Sequence, residues 1–443
     1  MTAAEEENPW LGLARFSDNY WENKRLWNGY QEYLLQPHTD AYQRQKGNPK
    51  FVDLMDLSDV KIHDIQTKIP DLPKELERDG AIVLSEGLTE IQRVLDFNGF
   101  YFAFRVVIGN TTFKRSLFLN NAQFAADLEV DNCVFKEGLN ATAANFGPFT
   151  TFRECRFIGY ASFDFATFDR SRFSKALFKE TAYFYASIFN ASNTFNDAIF
   201  KGKADFGNAT VDGQINFGKA TFCDRASFDD ARPDRSAALL SFNASEFCKH
   251  PPRFFGRELH EDTDWTGVKL PNAKAQAALP RDLLEDDKRA YEQLWIKCGA
   301  LGKVEDEHMF FSKEMELTGR LSPWYTRTTY CLYRLVSDYG YSYWRPIAWM
   351  GVLWGVWSVL YALHFMGRDQ LHPCMDRVEL LLSIAGLSFA NIFAVFGFYR
   401  RFPSDLLADP TTCIVLLTVS ETLLGFVFLF FLGLGLRTRF RLR

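Results

Sequence analysis

The sequence predicts a mixed fold in which a β-solenoid is followed by a helical hairpin and a C-terminal α-helical membrane domain. Three observations lead to this prediction. Phenylalanine, which occurs 44 times in the 443 residues, returns at regular five- and six-residue steps through the first half of the chain. A charged stretch with helical spacing of its apolar residues follows. Long apolar segments are confined to the last quarter of the chain.

The phenylalanine repeat has a period of eleven residues. In the stretch FKGKADFGNATVDGQINFGKATFCDRASF, from Phe200 to Phe228, apolar residues alternate at six- and five-residue steps. One series recurs every eleven residues, with a single five-residue slip in the middle: Phe113, Phe124, Phe135, Phe146, Phe157, Phe168, then Phe173, Phe184, Phe195, Phe206, Phe217, Phe228. A second series lies halfway between its members: Phe178, Phe189, Phe200, Val211, Phe222. Such periodicity is typical of architectures in which each unit stacks on the next.

An α-helix does not explain this pattern. Eleven residues make almost three helical turns, but a five-residue step rotates by about 140°, which would place the two series on different sides of a helix. The intervening Gly, Asn, Asp, Ser and Thr residues also favour turns. In a solenoid, both series point inward from short strands and polar residues form the corners.

We predict that inward-pointing phenylalanines form the core of this β-helix: Phe163, Phe168, Phe173, Phe178, Phe184, Phe189, Phe195, Phe200, Phe206, Phe217, Phe222 and Phe228. Alanine commonly stands two positions before a phenylalanine, as at Ala161, Ala182 and Ala204. We expect these alanines to face inward as well, where a larger side chain would not fit.

The repeated A-x-F pattern, from about Phe97 to Phe247, resembles the pentapeptide-repeat family. The resemblance implies a right-handed quadrilateral β-helix with about 20 residues per coil, so that two eleven-residue units would form one coil. Some members of the family resemble an acidic rod that mimics DNA. Residues 146–230 contain ten Lys/Arg and ten Asp/Glu, and this near-neutral balance predicts no nucleic-acid partner.

The patterns predict six segments: an N-terminal helical or irregular cap at 1–56, the β-helix at 57–250, a linker at 251–280, the helical hairpin at 281–322, a juxtamembrane segment at 323–345 and the membrane domain at 346–443. The cap contains NYWENKRLWNGYQEYLL, which predicts a helix that either caps the solenoid or binds a partner. The hairpin would consist of helices at about Arg281–Cys298 and Glu305–Arg320.

Apolar segments at 346–365, 379–399 and 411–436 predict the membrane topology. The start, MTAAEEENPW, is unlike a secretory signal, and cysteines without C-x-x-C spacing are typical of a reduced cytosolic protein. The basic tail RTRFRLR also favours the cytoplasm. Because two cytoplasmic ends require an even number of spans, we predict a span, a re-entrant segment and a span in the inner (plasma) membrane. Three full spans are the alternative.

This layout, from about Tyr341 to Leu436, resembles the pore domain of two-transmembrane potassium-type channels. The resemblance implies a homo-oligomer, specifically a tetramer, around a central pore. Those channels carry T-V-G-Y-G after the pore helix, where backbone carbonyls replace the water around the ion. The corresponding stretch here is AVFGFY, from Ala394 to Tyr399, with a single glycine. The order of rod, hairpin and paired spans also resembles bacterial pentapeptide-repeat membrane proteins.

Glu421, near the middle of the third apolar segment, is the strongest candidate for a functional residue. A carboxylate at that depth is costly and usually faces a bundle interior or a water-filled path. We therefore predict that four residues line a pore: Glu421, Asn391, Ser388 and Gly397. The alternative is a hydrogen bond between helices, from Glu421 to Ser420, Thr418 or Asn391.

Two functions are open at this point: an oligomeric ion channel or pore with a cytoplasmic sensor or partner-binding β-helix, and a membrane-anchored scaffold whose β-helix binds a protein. The expected partners are membrane lipid, other copies of the chain and a cytoplasmic protein. The sequence contains no P-loop, G-x-S-x-G, H-E-x-x-H or G-x-G-x-x-G motif, and its seven histidines are dispersed. We therefore predict no enzymatic activity, no catalytic residues, no cofactor and no metal site.

Overall fold

The computed structural model describes residues 11, 20–35, 80–85, 88–230, 232, 237–366, 377–398 and 411–440. The chain forms two compact units, Met1–Leu301 and Gly302–Arg443. Residues 57–79, which we predicted to begin the β-helix, lie outside the described residues.

The first unit contains a β-solenoid of about seven turns, as the sequence predicted. Its strands are short and pair in parallel. In chain order they are β1 (Ala81–Val83), β2 (Glu90–Ile91), β3 (Leu95–Asp96), β4 (Tyr101–Phe102), β5 (Arg105–Gly109), β6 (Thr112–Phe113), β7 (Leu117–Phe118), β8 (Gln123–Phe124), β9 (Leu128–Asp131), β10 (Val134–Phe135), β11 (Gly138–Asn140), β12 (Thr150–Thr151), β13 (Arg156–Phe157), β14 (Tyr160–Ser162), β15 (Thr167–Phe168), β16 (Ser171–Arg172), β17 (Leu177–Phe178), β18 (Ala182–Tyr183), β19 (Ile188–Phe189), β20 (Ser192–Thr194), β21 (Ile199–Phe200), β22 (Ala204–Asp205), β23 (Thr210–Val211), β24 (Gln214–Asn216), β25 (Thr221–Phe222), β26 (Ala226–Ser227), β27 (Leu239–Ser241) and β28 (Glu246–Phe247).

The strands stack in four rows. The first row is β1-β5-β9-β12-β16-β20-β24-β27, the second is β2-β6-β10-β13-β17-β21-β25-β28 and the third is β3-β7-β11-β14-β18-β22-β26. The fourth row contains β4-β8 and β15-β19-β23, joined by single bridges through Asn145. In the described residues, most turns of the chain thus contribute one short strand to each row.

Phenylalanine rings fill the inside of the solenoid as continuous columns. All twelve phenylalanines that we predicted for the core are buried. Within a column, rings of successive turns stack nearly parallel, as in Phe178 and Phe200, whose centroids lie 4.8 Å apart at 2°. Rings of neighbouring columns meet edge to face, as in Phe184 and Phe195 at 5.3 Å and 88°. Both arrangements are favoured by the charge distribution of the ring, so the core gains ring–ring attraction in addition to apolar burial.

The strand register explains the spacing of the phenylalanines. Phe178 pairs with Phe200, so this turn consists of two eleven-residue units. The five-residue slip shortens the preceding turn by one residue, and there Phe157 pairs with Phe178. Near the end, Phe222 pairs with Phe247 across a longer turn. The ring columns stay continuous through all three lengths because the corners absorb the difference.

One corner of every repeat uses a left-handed backbone conformation. Around Ala186, the amide of Ser187 donates to the carbonyl of Phe184 at 3.3 Å, which closes a β-turn with positive φ at its third residue. The same conformation recurs mostly at eleven-residue intervals: Asn110, Asn121, Asn132, Ala143, Glu154, Phe165, Lys175, Ala186, Asp197, Asn208, Lys219 and Ala244. At another corner, a β-carbon on Gly213 would lie 2.2 Å from the carbonyl oxygen of Ala191 in the previous turn, so only glycine fits there.

Helix α1 (Tyr20–Leu35) covers the first turn of the solenoid. Its Trp27 ring packs against the phenylalanines of that turn, 5.2 Å from Phe102, and its Nε1 donates to the carbonyl of Tyr101 at 2.8 Å. The Asn28 and Gln31 side chains accept hydrogen bonds from the amides of Tyr101 and Ala103. Side chains of α1 thus form hydrogen bonds with backbone groups of an edge strand, groups that would otherwise be unpaired.

The solenoid extends beyond residue 250, where we placed the start of a linker. Single bridges pair Arg253, Leu259, Asp264 and Lys269 with the preceding turn, and Trp265 stacks on Phe242 at 4.7 Å. The first twenty residues of the predicted linker therefore belong to the last turn. The sequence does not predict this last turn because the regular five- and six-residue steps end there, although Phe254 still stacks on Phe228 and Trp265 on Phe242.

Helix α2 (Arg281–Ala300) packs against this end of the solenoid. Nδ1 of the buried His250 lies 2.9 Å from Oδ1 of the buried Asp287. Arg225 and Arg253 both contact the carboxylate of Asp286, at 3.1 and 3.4 Å. Polar side chains of two turns thus hold α2 in place, so a helix follows the last turn as α1 precedes the first.

The second unit is helical in its described residues. Its helices are α3 (Val304–Leu321), α4 (Trp324–Ser337), α5 (Trp344–Met366), α6 (Arg377–Ile392) and α7 (Thr412–Phe440). Two of them contain segments long and apolar enough to cross a membrane, Trp344–Phe365 in α5 and Thr412–Arg439 in α7, whereas α6 is shorter. Helices α2 and α3 lie where the hairpin was predicted, but α4 occupies a segment for which no helix was predicted.

Replacing Phe195 by alanine should destabilise the solenoid by about 3–5 kcal/mol, because it removes a fully buried ring that contacts two columns. The matched control is Phe165→Ala, since the Phe165 ring is 57% exposed and its loss should change stability by less than about 0.5 kcal/mol. Hydrogen exchange of the strand amides in the full-length protein measures both. Equal protection in the two variants would contradict a ring-column core.

Candidate functional site in the apolar helices

Helices α5, α6 and α7 pack against one another. Tyr361, Phe365, Ile384 and Ile414 form one buried apolar cluster, and a second cluster lies around Met350, Leu353 and Ile392. Helices α6 and α7 approach closely at Gly425, where a β-carbon would lie 2.8 Å from Cα of Ile392. Small residues allow such close packing of apolar helices.

Four polar side chains meet between these two apolar clusters, and we call them the Glu421 cluster: Tyr361, Ser388, Asn391 and Glu421. The Glu421 side chain is fully buried. One of its carboxylate oxygens accepts hydrogen bonds from the Tyr361 hydroxyl at 2.9 Å and from Nδ2 of Asn391 at 3.0 Å. The other accepts one from the Ser388 hydroxyl. Asn391 Nδ2 also lies 3.2 Å from the Tyr361 oxygen.

The Glu421 cluster joins all three helices by hydrogen bonds. Tyr361 comes from α5, Ser388 and Asn391 from α6, and Glu421 from α7. A buried carboxyl group without donors is strongly disfavoured in an apolar environment. Its three donors therefore fix the rotation and depth of each helix, because sliding one helix would leave polar groups unpaired. Trp354 and Trp357 add two further links, from their Nε1 atoms to the carbonyls of Ala385 and Leu417.

The structure brings together three of the four residues that the sequence singled out as pore-lining. Glu421, Asn391 and Ser388 are in one cluster, and Asn391 was also a partner considered for Glu421. The other two suggested partners bond elsewhere: Thr418 and Ser420 donate to backbone carbonyls of their own helix. Sequence reasoning missed Tyr361. A single phenol within the mostly apolar α5 was the available sign, since a buried tyrosine hydroxyl needs a partner.

Gly397 lies apart from the Glu421 cluster. A 3₁₀ turn (Ala394–Phe396) follows α6, and Gly397 ends it with φ +74°. A β-carbon there would contact nothing within 4 Å, so backbone conformation rather than space favours glycine at this position. The neighbouring Val395, Phe396 and Phe398 side chains are exposed.

A second polar group lies where α5 begins and α7 ends. Nε2 of His308 is 3.3 Å from Oδ2 of Asp338, and Arg345 contacts the other oxygen of that carboxylate at 3.2 Å. The hydrogen bond from His308 and the positive charge of Arg345 hold the pKa of Asp338 below its usual range, although partial burial opposes them. The His308 ring stacks on Tyr341 with centroids 4.0 Å apart. Among the described residues no group of His, Cys, Asp and Glu has the arrangement of a metal site.

Residues 152–199 and 195–237 match a protein-family model described as pentapeptide repeats (9 copies). The match lies within the solenoid, so the central turns are pentapeptide repeats, and it covers less than half of the chain. No curated protein matches the sequence, and no solved structure matches it.

Replacing Glu421 by leucine should destabilise the helical unit by about 1–3 kcal/mol, because the Tyr361 hydroxyl loses its acceptor in an apolar environment. Glutamine at this position can accept from Tyr361 and Asn391 and donate to the Ser388 hydroxyl, which can act as donor or acceptor. We therefore expect Glu421→Gln to keep the wild-type melting temperature in detergent. A leucine variant as stable as the glutamine variant would show that the cluster contributes nothing to stability.

Asp338→Asn should destabilise the protein at neutral pH but not in acid. Because the folded-state pKa of Asp338 is lowered, its stabilising effect is present above the unfolded pKa of about 3.9 and is lost as pH falls through the lower folded value. Asparagine suits the left-handed backbone at this position, so the change removes little besides the charge. Thermal unfolding across that pH range measures the effect. A double variant with His308→Gln should lose less than the sum of the two single losses.

Proposed function

We propose that this protein is an oligomeric membrane pore, in which the helical unit conducts ions and the β-solenoid is a partner-binding or sensing domain. The observation that supports this proposal is the arrangement of α5, α6 and α7. A helix too short to span a membrane packs against two helices that are long enough, and an exposed turn with a left-handed glycine follows it. Irregular backbone at membrane depth requires protein or a water-filled cavity around it, and a pore at an oligomer axis would provide both.

The Glu421 cluster would hold the end of α6, and therefore the turn that follows, in a fixed position in such a pore. Ser388 and Asn391 lie in the last two turns of α6, and their hydrogen bonds to Glu421 attach that end to α7. Gly397 and its neighbours would then face the conduction path. The turn contains bulky aromatic residues in place of a potassium filter, so we propose no selectivity for potassium.

Several finer features belong to the same proposal. The assembly would be a tetramer, as in the channels that the layout resembles. The solenoid, a right-handed quadrilateral β-helix, and the C-terminus would both be cytoplasmic, with Arg437 and Arg439 at the cytoplasmic end of α7. The protein would work without enzymatic activity or a cofactor.

The second candidate is a membrane-anchored scaffold, favoured by a groove on the solenoid surface. The groove has a volume of about 500 Å³ and is lined by Tyr185, Asp205, Asp229, Phe255 and their neighbours. Aromatic residues are enriched at protein-binding surfaces, and the two carboxylates would favour a partner with basic groups through complementary charge. In this candidate the helices would only anchor and assemble the chain.

Ion flux from liposomes that contain the full-length protein tests the proposal. We expect flux from the wild type and an altered rate or selectivity from Gly397→Ala, because alanine is strained at φ +74°. The matched control is Gly351→Ala in α5, where a β-carbon would also meet nothing within 4 Å but φ is not in the left-handed region. Its flux should equal that of the wild type.

The same experiment separates the two candidates. A wild-type protein that conducts no ions at any voltage, pH or osmotic load would overturn the pore and leave the scaffold. Flux that is identical in the wild type and Gly397→Ala would keep the pore but remove the turn from its path.

A further inference from the structure

Helix α4 has an apolar face that no part of the described chain covers. Trp324 is 80% exposed, Tyr325 63%, Leu332 54% and Leu335 52%. At 100° per residue these four side chains and the exposed Thr328 and Cys331 fall within an arc of about 120° on one side of the helix. We call this side the Trp324 face. Leaving so much apolar surface in water over only four turns of helix would be unfavourable.

The other side of α4 is the one that packs within the unit. The Tyr333 ring lies 5.7 Å from Phe431 of α7, and Tyr330 packs against α3 at Gly319, where a β-carbon would come within 2.9 Å of it. Ser337 is fully buried. The helix is therefore held in place without the Trp324 face, which remains available for another environment.

The position of α4 next to the spans indicates what that environment is. Three consecutive left-handed residues, Asp338, Tyr339 and Gly340, turn the chain from α4 towards α5. Arg345 at the start of α5 donates to the carbonyl of Arg334 at 2.7 Å, and Trp349 Nε1 contacts the carbonyl of Leu335 at 3.3 Å. Helix α4 thus packs against the beginning of one span-length helix.

The same region contacts the end of the other span-length helix. A β-carbon on Gly340 would lie 2.9 Å from the Leu434 side chain, and one on Gly435 would lie 2.9 Å from the carbonyl of Ser342. Arg439 lies over the rings of Tyr341 and Tyr343. Because α5 begins and α7 ends here, α4 lies at one boundary of the apolar segments, the boundary that carries Arg437 and Arg439.

We propose that α4 lies in the membrane–water interface on that side, with the Trp324 face in the lipid. This inference rests on the proposal that α5 and α7 span a membrane. Tryptophan and tyrosine prefer the headgroup level, and an amphipathic helix of this kind buries its apolar side at the boundary of headgroups and acyl chains. Arg327 and Arg334 lie along one edge of the Trp324 face, where Arg327 would meet lipid phosphates, while Arg334 is also 3.7 Å from Glu316. Trp344 at the start of α5 is also exposed.

Quenching of tryptophan fluorescence by brominated lipids tests the proposal in the full-length protein reconstituted in liposomes. The chain has ten tryptophans, so the signal of Trp324 is obtained as the difference between the wild type and Trp324→Phe. Phenylalanine keeps the Trp324 face apolar, and an unchanged melting temperature would confirm that the variant folds. Trp354→Phe is the matched control, because Trp354 is a partly exposed residue near the middle of α5.

An interfacial helix reaches about 5–10 Å into the headgroup and acyl boundary. We therefore expect lipids brominated near the headgroup to quench the Trp324 signal about twofold more than lipids brominated near the methyl end. Aqueous iodide should quench it weakly. The Trp354 signal should show the opposite preference between the two lipids, since a residue in the middle of a span lies deep in the bilayer.

The outcomes test separately whether α5 and α7 span a membrane and whether α4 lies at the membrane–water interface. A Trp354 signal that neither lipid quenches would overturn the membrane assignment itself, and with it the interfacial position of α4. If Trp354 is quenched by lipid but Trp324 only by iodide, α4 lies in water and the inference is wrong while the spans remain. If Trp324 is shielded from both quenchers, protein covers the Trp324 face, through a second copy or a partner, and the inference is again wrong.

Discussion

The structure of the first unit depends on one constraint: each turn of chain must place its aromatic rings directly over those of the turn before. The rings of Phe173 and Phe195 show how strict this is, because they lie 4.8 Å apart and within 2° of parallel. A spacing of that size is also the distance between hydrogen-bonded strands, so ring stacking and strand pairing favour the same rise per turn. Turns of different length remain compatible with the core only because the extra or missing residue is taken up at a corner.

The same constraint makes the ends of the solenoid special. The first and last described turns each lack a neighbouring turn on one side. Without a cover, they would expose aromatic rings together with unpaired backbone groups. At the first turn, Trp27 covers Phe97, Phe100 and Phe102 while the side chains of α1 pair with the backbone. At the last turn, Trp265 closes one column. Tryptophan suits both ends because it covers more ring surface than phenylalanine, and at the first turn the N–H of Trp27 also donates to the carbonyl of Tyr101.

The second unit buries a group of polar side chains, whereas the solenoid buries mainly apolar ones. In the solenoid, polar residues form the corners and the core is apolar, whereas the apolar helices have exposed apolar side chains such as Leu363 and Leu382 and bury the Glu421 cluster. In an apolar environment burial of hydrocarbon gives little specificity between helices. Hydrogen bonds from Tyr361, Ser388 and Asn391 to one carboxyl group provide the specificity instead.

Periodicity made the solenoid predictable, and helical spacing of apolar residues did the same for α2 and α3. The inward phenylalanines could be identified because each position is constrained by the turns on both sides, and the first and last turns were harder because one neighbour is missing. Glu421, Ser388 and Asn391 could be selected because polar residues are rare in apolar segments. Tyr361 could not, since a tyrosine at that position is also compatible with simple packing. Helix α4 was missed because its Trp, Tyr and Leu residues suggest a short juxtamembrane link, and only their exposure in the folded unit distinguishes an amphipathic helix.

The turn between α4 and α5 also contacts α3 and α7, so it is the meeting point of four helices of the second unit. His308 of α3 stacks on Tyr341 and pairs with Asp338, and Gly340 and Ser342 touch the last turns of α7. Three successive left-handed residues leave this segment little conformational freedom. The segment therefore fixes the start of α5 next to the end of α7. Both of those helices also bond to the end of α6 through the Glu421 cluster, so the five described helices of the second unit form one set of packed and hydrogen-bonded elements.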